Sequence, residues 1–154
     1  SKGTTFFFTI PAKRISSIKE QEITDRYKHE TAGMHKMLNI LIVEDDEYAS
    51  VFLDNMLKPG SHKILHARTG YEAVDMMREY PDIQVVLMDI KLPEMDGYEA
   101  TRKIREFNRK VVVIAQTAFA LAGDRDKALE AGCNDYISKP VNKERLMNMI
   151  QKYF

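Results

Sequence analysis

Carboxylates, a hydroxyl and a lysine are the groups in this 154-residue chain whose types and spacing could do chemistry. The acidic run Glu44-Asp45-Asp46 and the single Asp89 each follow an apolar stretch. Clustered carboxylates repel one another, so a site built from them favours a divalent cation that neutralises their charge. Because all the ligand atoms would be oxygens, the preferred cation is Mg²⁺, which keeps several waters and needs few protein ligands.

Thr117 and Lys139 add a hydroxyl and an ammonium, and each stands near the end of a further predicted strand. A carboxylate oxygen facing a bound Mg²⁺ can attack an incoming phosphoryl group while the metal spreads the charge of the transferring oxygens. A lysine and a hydroxyl can stabilise the remaining charge. The product of such a reaction would be an aspartyl phosphate.

Alternating strands and helices would bring these groups to one edge of a sheet. Apolar runs predict the strands, and the helical spacing of apolar residues predicts the helices between them. The predicted strands are 38–43, 63–67, 83–88, 111–115 and 135–138, and the predicted helices are 48–57, 71–79, 98–107, 121–131 and 143–153. This alternation indicates an α/β protein whose parallel sheet is covered by helices on both faces. In such a sheet, ligands bind outside the carboxyl ends of the strands.

Each of these residues also has an ordinary structural explanation. An Asp after a strand is most often a helix cap or a turn residue, and a Thr there is usually a cap. The interpretation depends on the joint order, in which the acidic pair, Asp, Thr and Lys-Pro follow strands one, three, four and five. Asp46 and Glu47 are better explained as acids that cap the first helix or complement its dipole than as metal ligands. Asp96 and Gly97 are predicted turn and cap residues, and Asn142 a cap of the last helix.

Composition and charge restrict the class of protein. Lysine plus arginine equals aspartate plus glutamate at 23 each, which gives no electrostatic reason to expect nucleic acid or an anionic membrane as partner of this fragment. Cys133 is the only cysteine, so an intramolecular disulfide is impossible, and a reducing cytoplasm is the expected location. No apolar run approaches the length of a transmembrane helix.

Four sequence motifs together resemble the receiver domains of two-component signalling. The motifs are the acidic start ILIVEDDEYA, the phosphorylation-site segment VVLMDIKLPEMDGYEATRKIR, the hydroxyl segment VVVIAQTAFA and the lysine segment AGCNDYISKPV. They agree with the family in type, order and spacing, and the match spans about residues 38–154. The resemblance implies a flavodoxin-like, doubly wound, five-stranded parallel sheet with strand order 2-1-3-4-5 and five helices.

The resemblance also implies which residues bind the phosphoryl group and the metal. Asp89 would be the phosphoacceptor, in Mg²⁺-dependent transfer from a phosphohistidine on a histidine kinase or a phosphotransfer domain. Asp45 would bind the metal directly, and Glu44, which replaces the commoner Asp of the pair, would act mainly through metal-bound water. The backbone carbonyl of Lys91 would complete the protein ligands.

Three further positions match the family's response to phosphorylation. Thr117 would hydrogen-bond a phosphoryl oxygen, and Lys139 would pair with the phosphoryl group. Tyr136 matches the aromatic switch position, although a half-buried aromatic in a short strand is an equally good explanation of it. The Lys139–Pro140 bond is often cis in this family, because proline lowers the cost of the cis form.

The first twelve residues, SKGTTFFFTIPA, resemble the last strand of the ATP-binding domain of sensor histidine kinases. A Gly-Thr-x-Phe-x-Phe-x-x-Pro pattern closes that domain. We therefore interpret residues 1–12 as a remnant of it, 13–37 as a partly helical linker and 38–154 as the receiver domain of a hybrid sensor kinase. The fragment keeps no nucleotide-binding motif and no histidine box, so its own enzymatic status stays open. The parent protein is expected to be a protein-histidine kinase that could be anchored in the inner membrane.

Residues 1–12 carry an apolar strand whose parent sheet is missing from the chain. Unpaired backbone groups and exposed aromatic rings tend to associate with other surfaces. The segment is therefore expected to dock on its own receiver or on a second copy of the chain, which would give a dimer.

Other functions compete with the hybrid kinase interpretation. One is a stand-alone response regulator, and another is a degenerate receiver used only for binding, against which the complete set of site residues argues. A small phosphatase of the haloacid dehalogenase type also uses a nucleophilic Asp and Mg²⁺. That family has a second Asp two residues after the nucleophile, where this chain has Lys91.

Overall fold

The computed structural model describes residues 37–118 and 123–154 of the chain. The predictions for residues 1–12, for nearly all of the linker 13–37 and for the start of the fourth helix at residue 121 lie outside the described residues. They stay predictions.

Five strands form one parallel sheet in the order β2-β1-β3-β4-β5, which confirms the predicted fold class. The strands are β1 (Leu38–Val43), β2 (Ser61–Ala67), β3 (Val85–Asp89), β4 (Val112–Thr117) and β5 (Asp135–Ser138). Every residue of β3 and β4 is buried, as expected of central strands that helices cover on both faces. β2 is an edge strand and starts two residues before its apolar run, because it pairs with β1 from Ser61 onward.

The described residues contain five α-helices between and after these strands. They are α1 (Glu47–Leu57), α2 (Gly70–Glu79), α3 (Gly97–Phe107), α4 (Asp124–Glu130) and α5 (Lys143–Gln151), and a short 3-10 turn spans Lys58–Gly60. Side chains cap four of them by accepting the backbone N–H three residues on, and these caps are Asp46, Thr69, Asp96 and Asn142. The expected capping roles of Asp46, Asp96 and Asn142 are thus confirmed.

Two apolar clusters cover the two faces of the sheet. The cluster beneath α1 and α5 includes Ile42, Leu53, Leu87 and Leu146, and the cluster on the opposite face packs α2, α3 and α4. Because side chains of a strand alternate between faces, each strand contributes to both clusters. Within the described ranges, each helix is too short or too polar to cross a bilayer.

Candidate functional site

The carboxyl edge of the sheet gathers the predicted site residues. Glu44 directly follows β1, Asp89 and Thr117 end β3 and β4, and Lys139 follows β5. Glu44, Asp89 and Thr117 are buried, whereas Asp45 is exposed to solvent beside them. Parallel strands put these chain-distant residues at one edge, as their order in the sequence predicts.

The ammonium of Lys139 joins the two buried carboxylates. Its Nζ donates to Glu44 Oε1 and Oε2 at 2.9 and 2.6 Å and to Asp89 Oδ2 at 2.5 Å. Hydrogen bonds in which both groups are charged are stronger than neutral ones, which offsets part of the cost of burying these groups. The resting site is therefore an ion triad in which one lysine neutralises two carboxylates.

The pKa values of Glu44 and Lys139 follow from this burial and pairing. Burial raises the pKa of Glu44 above its ordinary value, because the bonds from Lys139 only partly oppose that effect. Burial alone would lower the pKa of Lys139, but its hydrogen bonds to Asp89 and Glu44 outweigh burial and raise it. Lys139 thus stays a cation at neutral pH.

Three carboxylates at this edge lie close enough to share a cation. One oxygen each from Glu44, Asp45 and Asp89 lie within 4.8 Å of one another. The ligand set is all oxygen, and exposed Asp45 leaves room for water, which together fit Mg²⁺. The backbone N–H of Lys91 donates to Asp89 Oδ1 at 3.0 Å, so the chain turns tightly around the carboxylate just after β3.

Backbone hydrogen bonds hold the loops on both sides of Asp89. The N–H of Ile90 donates to the carbonyl of Gln116 at 3.1 Å, and the N–H of Gly97 donates to the carbonyl of Ile90 at 3.0 Å. The N–H of Lys139 donates to the carbonyl of Thr117 at 2.7 Å, which ties the loop after β5 to the end of β4. The Lys139–Pro140 bond is cis, as the resemblance implies.

Tyr136, the predicted switch residue, lies in the short strand β5. It is half buried in β5 and packs against the apolar cluster of α2, α3 and α4. Glu44 and Gln116, by contrast, line a cavity on the α1 side of the sheet. The structure therefore places Tyr136 and this cavity on opposite faces of the sheet.

Gln116 is a site residue that the sequence argument missed. It is fully buried, and its Nε2 and Oε1 have no hydrogen-bond partner in residues 37–118 and 123–154. A buried polar group without a partner costs about 1–3 kcal/mol. The signal was a single amide inside the otherwise apolar run VVVIAQT, next to the predicted hydroxyl residue.

Replacing Lys139 by methionine is expected to destabilise the unphosphorylated protein, because two buried carboxylates lose the ammonium that they share. Removing one partner of a buried ion pair costs roughly 3–5 kcal/mol of folding free energy. Because Lys139 is partly exposed, we expect a loss of about 3 kcal/mol, at the lower end of this range. Unfolding in urea at neutral pH without divalent cations measures it.

Lys152→Met is the matched control for that substitution. Lys152 pairs with Asp135 at 3.1 Å, and its side chain is 63% exposed. Exposed ion pairs contribute about 1 kcal/mol or less. Equal losses in the two variants would show that the triad at Glu44 and Asp89 is no stronger than a surface pair.

A five-stranded 2-1-3-4-5 sheet with buried carboxylates and a lysine at its carboxyl edge defines the receiver class of α/β proteins. The sequence profile of the response regulator receiver domain matches residues 40–151, and the chain belongs to that family. The polar-differentiation response regulator DivK of Brucella ovis is 37% identical over 118 residues, which cover 75% of this chain and 94% of DivK.

Solved structures show the same family resemblance. The receiver domain of sensor histidine kinase PA1611 from Pseudomonas aeruginosa, solved with a magnesium ion in its active-site cleft, is 38% identical with a TM-score of 0.69, and the match covers 76% of this chain and 97% of that one. A chain in the Saccharomyces cerevisiae co-crystal of the phosphotransfer protein Ypd1 with the receiver domain of Ssk1 is 33% identical with a TM-score of 0.72. That match covers 77% of this chain and 89% of the other.

Proposed function

We propose that residues 38–154 form a receiver domain that accepts a phosphoryl group from a phosphohistidine onto Asp89. The observation that carries the proposal is the buried Asp89 carboxylate, which shares Lys139 with Glu44 beside the exposed Asp45. An Asp89 oxygen would form a bond to phosphorus while the phosphorus–nitrogen bond of the donor imidazole breaks. The electron pair of the broken bond stays on the imidazole nitrogen.

The neighbouring residues would bind and balance the charge of the transferred group. Lys139 would turn from Glu44 towards the phosphoryl oxygens, and the Thr117 hydroxyl would donate to one of them. Mg²⁺ held by Asp45, Asp89 and the carbonyl of Lys91, with Glu44 acting mainly through metal-bound water, would neutralise the charge of those oxygens. The clustered carboxylate oxygens support this set, and the PA1611 receiver contains magnesium in its active-site cleft.

Substituting Asp45 by asparagine is expected to weaken Mg²⁺ binding by at least about tenfold, because a charged ligand becomes a neutral one at the mouth of the site. Calorimetric titration of the protein with Mg²⁺ measures the dissociation constant.

Asp46→Asn is the control for Asp45→Asn. Asp46 caps α1 by accepting the N–H of Ala49 at 2.7 Å, and asparagine caps equally well. Its Mg²⁺ affinity should stay within about twofold of the wild-type value, since a charge outside the ligand set acts only through screened attraction. Equal weakening by both substitutions would contradict the role of Asp45.

An apolar stripe on α1 supports a protein as the phosphoryl donor. Tyr48, Val51 and Phe52 follow helical spacing, and their exposed fractions are 88%, 54% and 53%. Phe52 also lines the cavity that contains Glu44 and Lys139, so the stripe borders the site. Exposed apolar patches mark protein interaction surfaces, and the Ssk1 receiver forms a complex with a phosphotransfer protein. We place the phosphohistidine-bearing partner on this stripe.

Incubation with acetyl phosphate tests the proposed function, because this small donor needs no protein partner. Wild-type protein should take up one phosphoryl group in Mg²⁺ and none after chelation with EDTA. The same protein should also respond to beryllofluoride, a phosphoryl analogue, in its backbone NMR spectrum. Absence of uptake and of any beryllofluoride response would overturn the proposal.

The chain context is a second part of the proposal. We assign residues 1–12 to the end of a kinase ATP-binding domain, 13–37 to a linker and the whole to a cytoplasmic part of a hybrid sensor kinase. The motif SKGTTFFFTIPA ahead of the receiver supports this, and the PA1611 receiver also belongs to a sensor histidine kinase. DivK favours the alternative, a stand-alone response regulator. The gene sequence upstream of residue 1 decides, since a hybrid kinase must encode a histidine box there.

A further inference from the structure

We propose that Gln116 is a positioning residue for phosphoryl transfer, whose side-chain amide bridges Glu44 and Lys139 once Lys139 has turned towards the phosphoryl group. In that state, Nε2 would donate to the Glu44 carboxylate, and Oε1 would accept from the Lys139 ammonium. The inference rests on the phosphoacceptor function proposed above and names a further residue of the same site.

The strand register places Gln116 beside the phosphoacceptor. Gln116 pairs with Asp89 across β3 and β4, and its carbonyl accepts the N–H of Ile90. Alternation along β4 puts its side chain on the same face as Ile114, under α1 and α5. The amide therefore lies on the face of the sheet that α1 and α5 cover, in the strand next to Asp89.

A cavity joins Gln116 to both proposed partners. Its volume is about 160 Å³, and Glu44, Gln116 and Lys139 are its hydrogen-bonding side chains. The other lining residues are apolar: Ala49, Phe52, Leu53, Pro140 and Val141. Gln116, Glu44 and Lys139 thus border one open space.

In the unphosphorylated protein, the groups that could pair with the Gln116 side-chain amide are already paired with one another. Lys139 donates to both oxygens of Glu44 and to Asp89, so these groups satisfy one another. A phosphoryl group on Asp89 brings new acceptor oxygens that compete for Lys139. Glu44, whose side chain is 1% exposed, would then lose its hydrogen-bond donor, and its carboxylate oxygen turned away from the metal would need a new one.

An amide is the neutral group that can satisfy both sides of this exchange. A carboxylate only accepts hydrogen bonds and an ammonium only donates them, while a glutamine does both. The two atoms of Gln116 that lack partners among the described residues are thus the donor and the acceptor that Glu44 and Lys139 need. A leucine at this position would pack better in the unphosphorylated protein, but it could neither donate a hydrogen bond to Glu44 nor accept one from Lys139.

The test compares Gln116→Leu with the wild type in two measurements. Without Mg²⁺ and phosphoryl donor, the variant should unfold at a higher urea concentration, because a buried amide without a partner is removed. With acetyl phosphate and Mg²⁺, its rate of phosphoryl uptake should fall by about tenfold or more, as for lost groups that orient a metal ligand. Lower resting stability, or an unchanged uptake rate, would overturn the inference.

NMR of the wild-type protein supplies a readout that does not need the variant to fold. Beryllofluoride with Mg²⁺ should shift the side-chain amide resonances of Gln116 and slow their hydrogen exchange. Gln84, whose Oε1 already accepts the N–H of Asn39 at 3.2 Å at the opposite end of the sheet, is the control and should not change. An unchanged Gln116 amide in a protein that does respond to beryllofluoride would overturn the inference alone. Failure of the wild type to respond at all would overturn the proposed function and this inference with it.

Discussion

Replacing Asp89 by asparagine is expected to abolish phosphoryl uptake from acetyl phosphate. Asparagine has nearly the same shape, so the fold and the pairing of Lys139 with Glu44 should persist. An amide oxygen is a poor nucleophile, however, because it lacks the negative charge of the carboxylate that attacks phosphorus. The observable is labelled phosphate retained by the denatured protein after incubation with Mg²⁺.

Asp96→Asn is the matched control, since it makes the same chemical change a few residues away. Asp96 caps α3 by accepting the N–H of Glu99 at 2.8 Å, and asparagine preserves such a cap. This variant should therefore keep normal uptake. Full labelling of Asp89→Asn would assign the phosphoacceptor to another residue.

Gly97→Ala is expected to destabilise the protein by at least about 3 kcal/mol, because overpacking here meets backbone that cannot move aside. A Cβ built on Gly97 would lie 2.1 Å from the carbonyl oxygen of Asp89 and 2.9 Å from the Cα of Ile90. The N–H of Gly97 also anchors the loop that carries Lys91. The free energy of unfolding in urea gives the size of the loss.

Gly123→Ala controls for the intrinsic effect of adding a methyl group at a helix start. Gly123 precedes α4, and a Cβ built there meets no heavy atom within 4 Å among the described residues other than Gly123 and its chain neighbours. Its cost should stay below about 1 kcal/mol, the usual difference between glycine and alanine at an N-cap. Similar losses in both variants would mean that the backbone at Gly97 relaxes around the methyl group.

Gly97→Ala should affect function as well as stability. The added methyl group would press on the carbonyl of Asp89 and so displace the carboxylate of the same residue. In whatever fraction stays folded, phosphoryl uptake should be slower than in Gly123→Ala. The close approach explains physically why glycine follows Asp96, where the sequence argument assigned only a turn and a cap.

Local sequence patterns predicted the elements whose signals are strong. The apolar runs of β1, β3 and β4 led to Glu44, Asp89 and Thr117, and the caps Asp46, Asp96 and Asn142 mark the helix starts as expected. Boundaries were less accurate where the periodicity is weak. The last helix ends at Gln151 and not at residue 153, since helix ends fray over one or two residues.

By itself, the sequence determined the α/β class, the order of the site residues along the strands and their meeting at one edge. Apolar periodicity and parallel strands are enough for those conclusions. Only the tertiary structure decided that Lys139 joins Glu44 to Asp89, that Tyr136 packs on the other face and that Gln116 is buried without a partner among the described residues. Side-chain partners depend on rotamers and on distances between residues far apart in the chain, and a pattern of residue types along one strand contains neither.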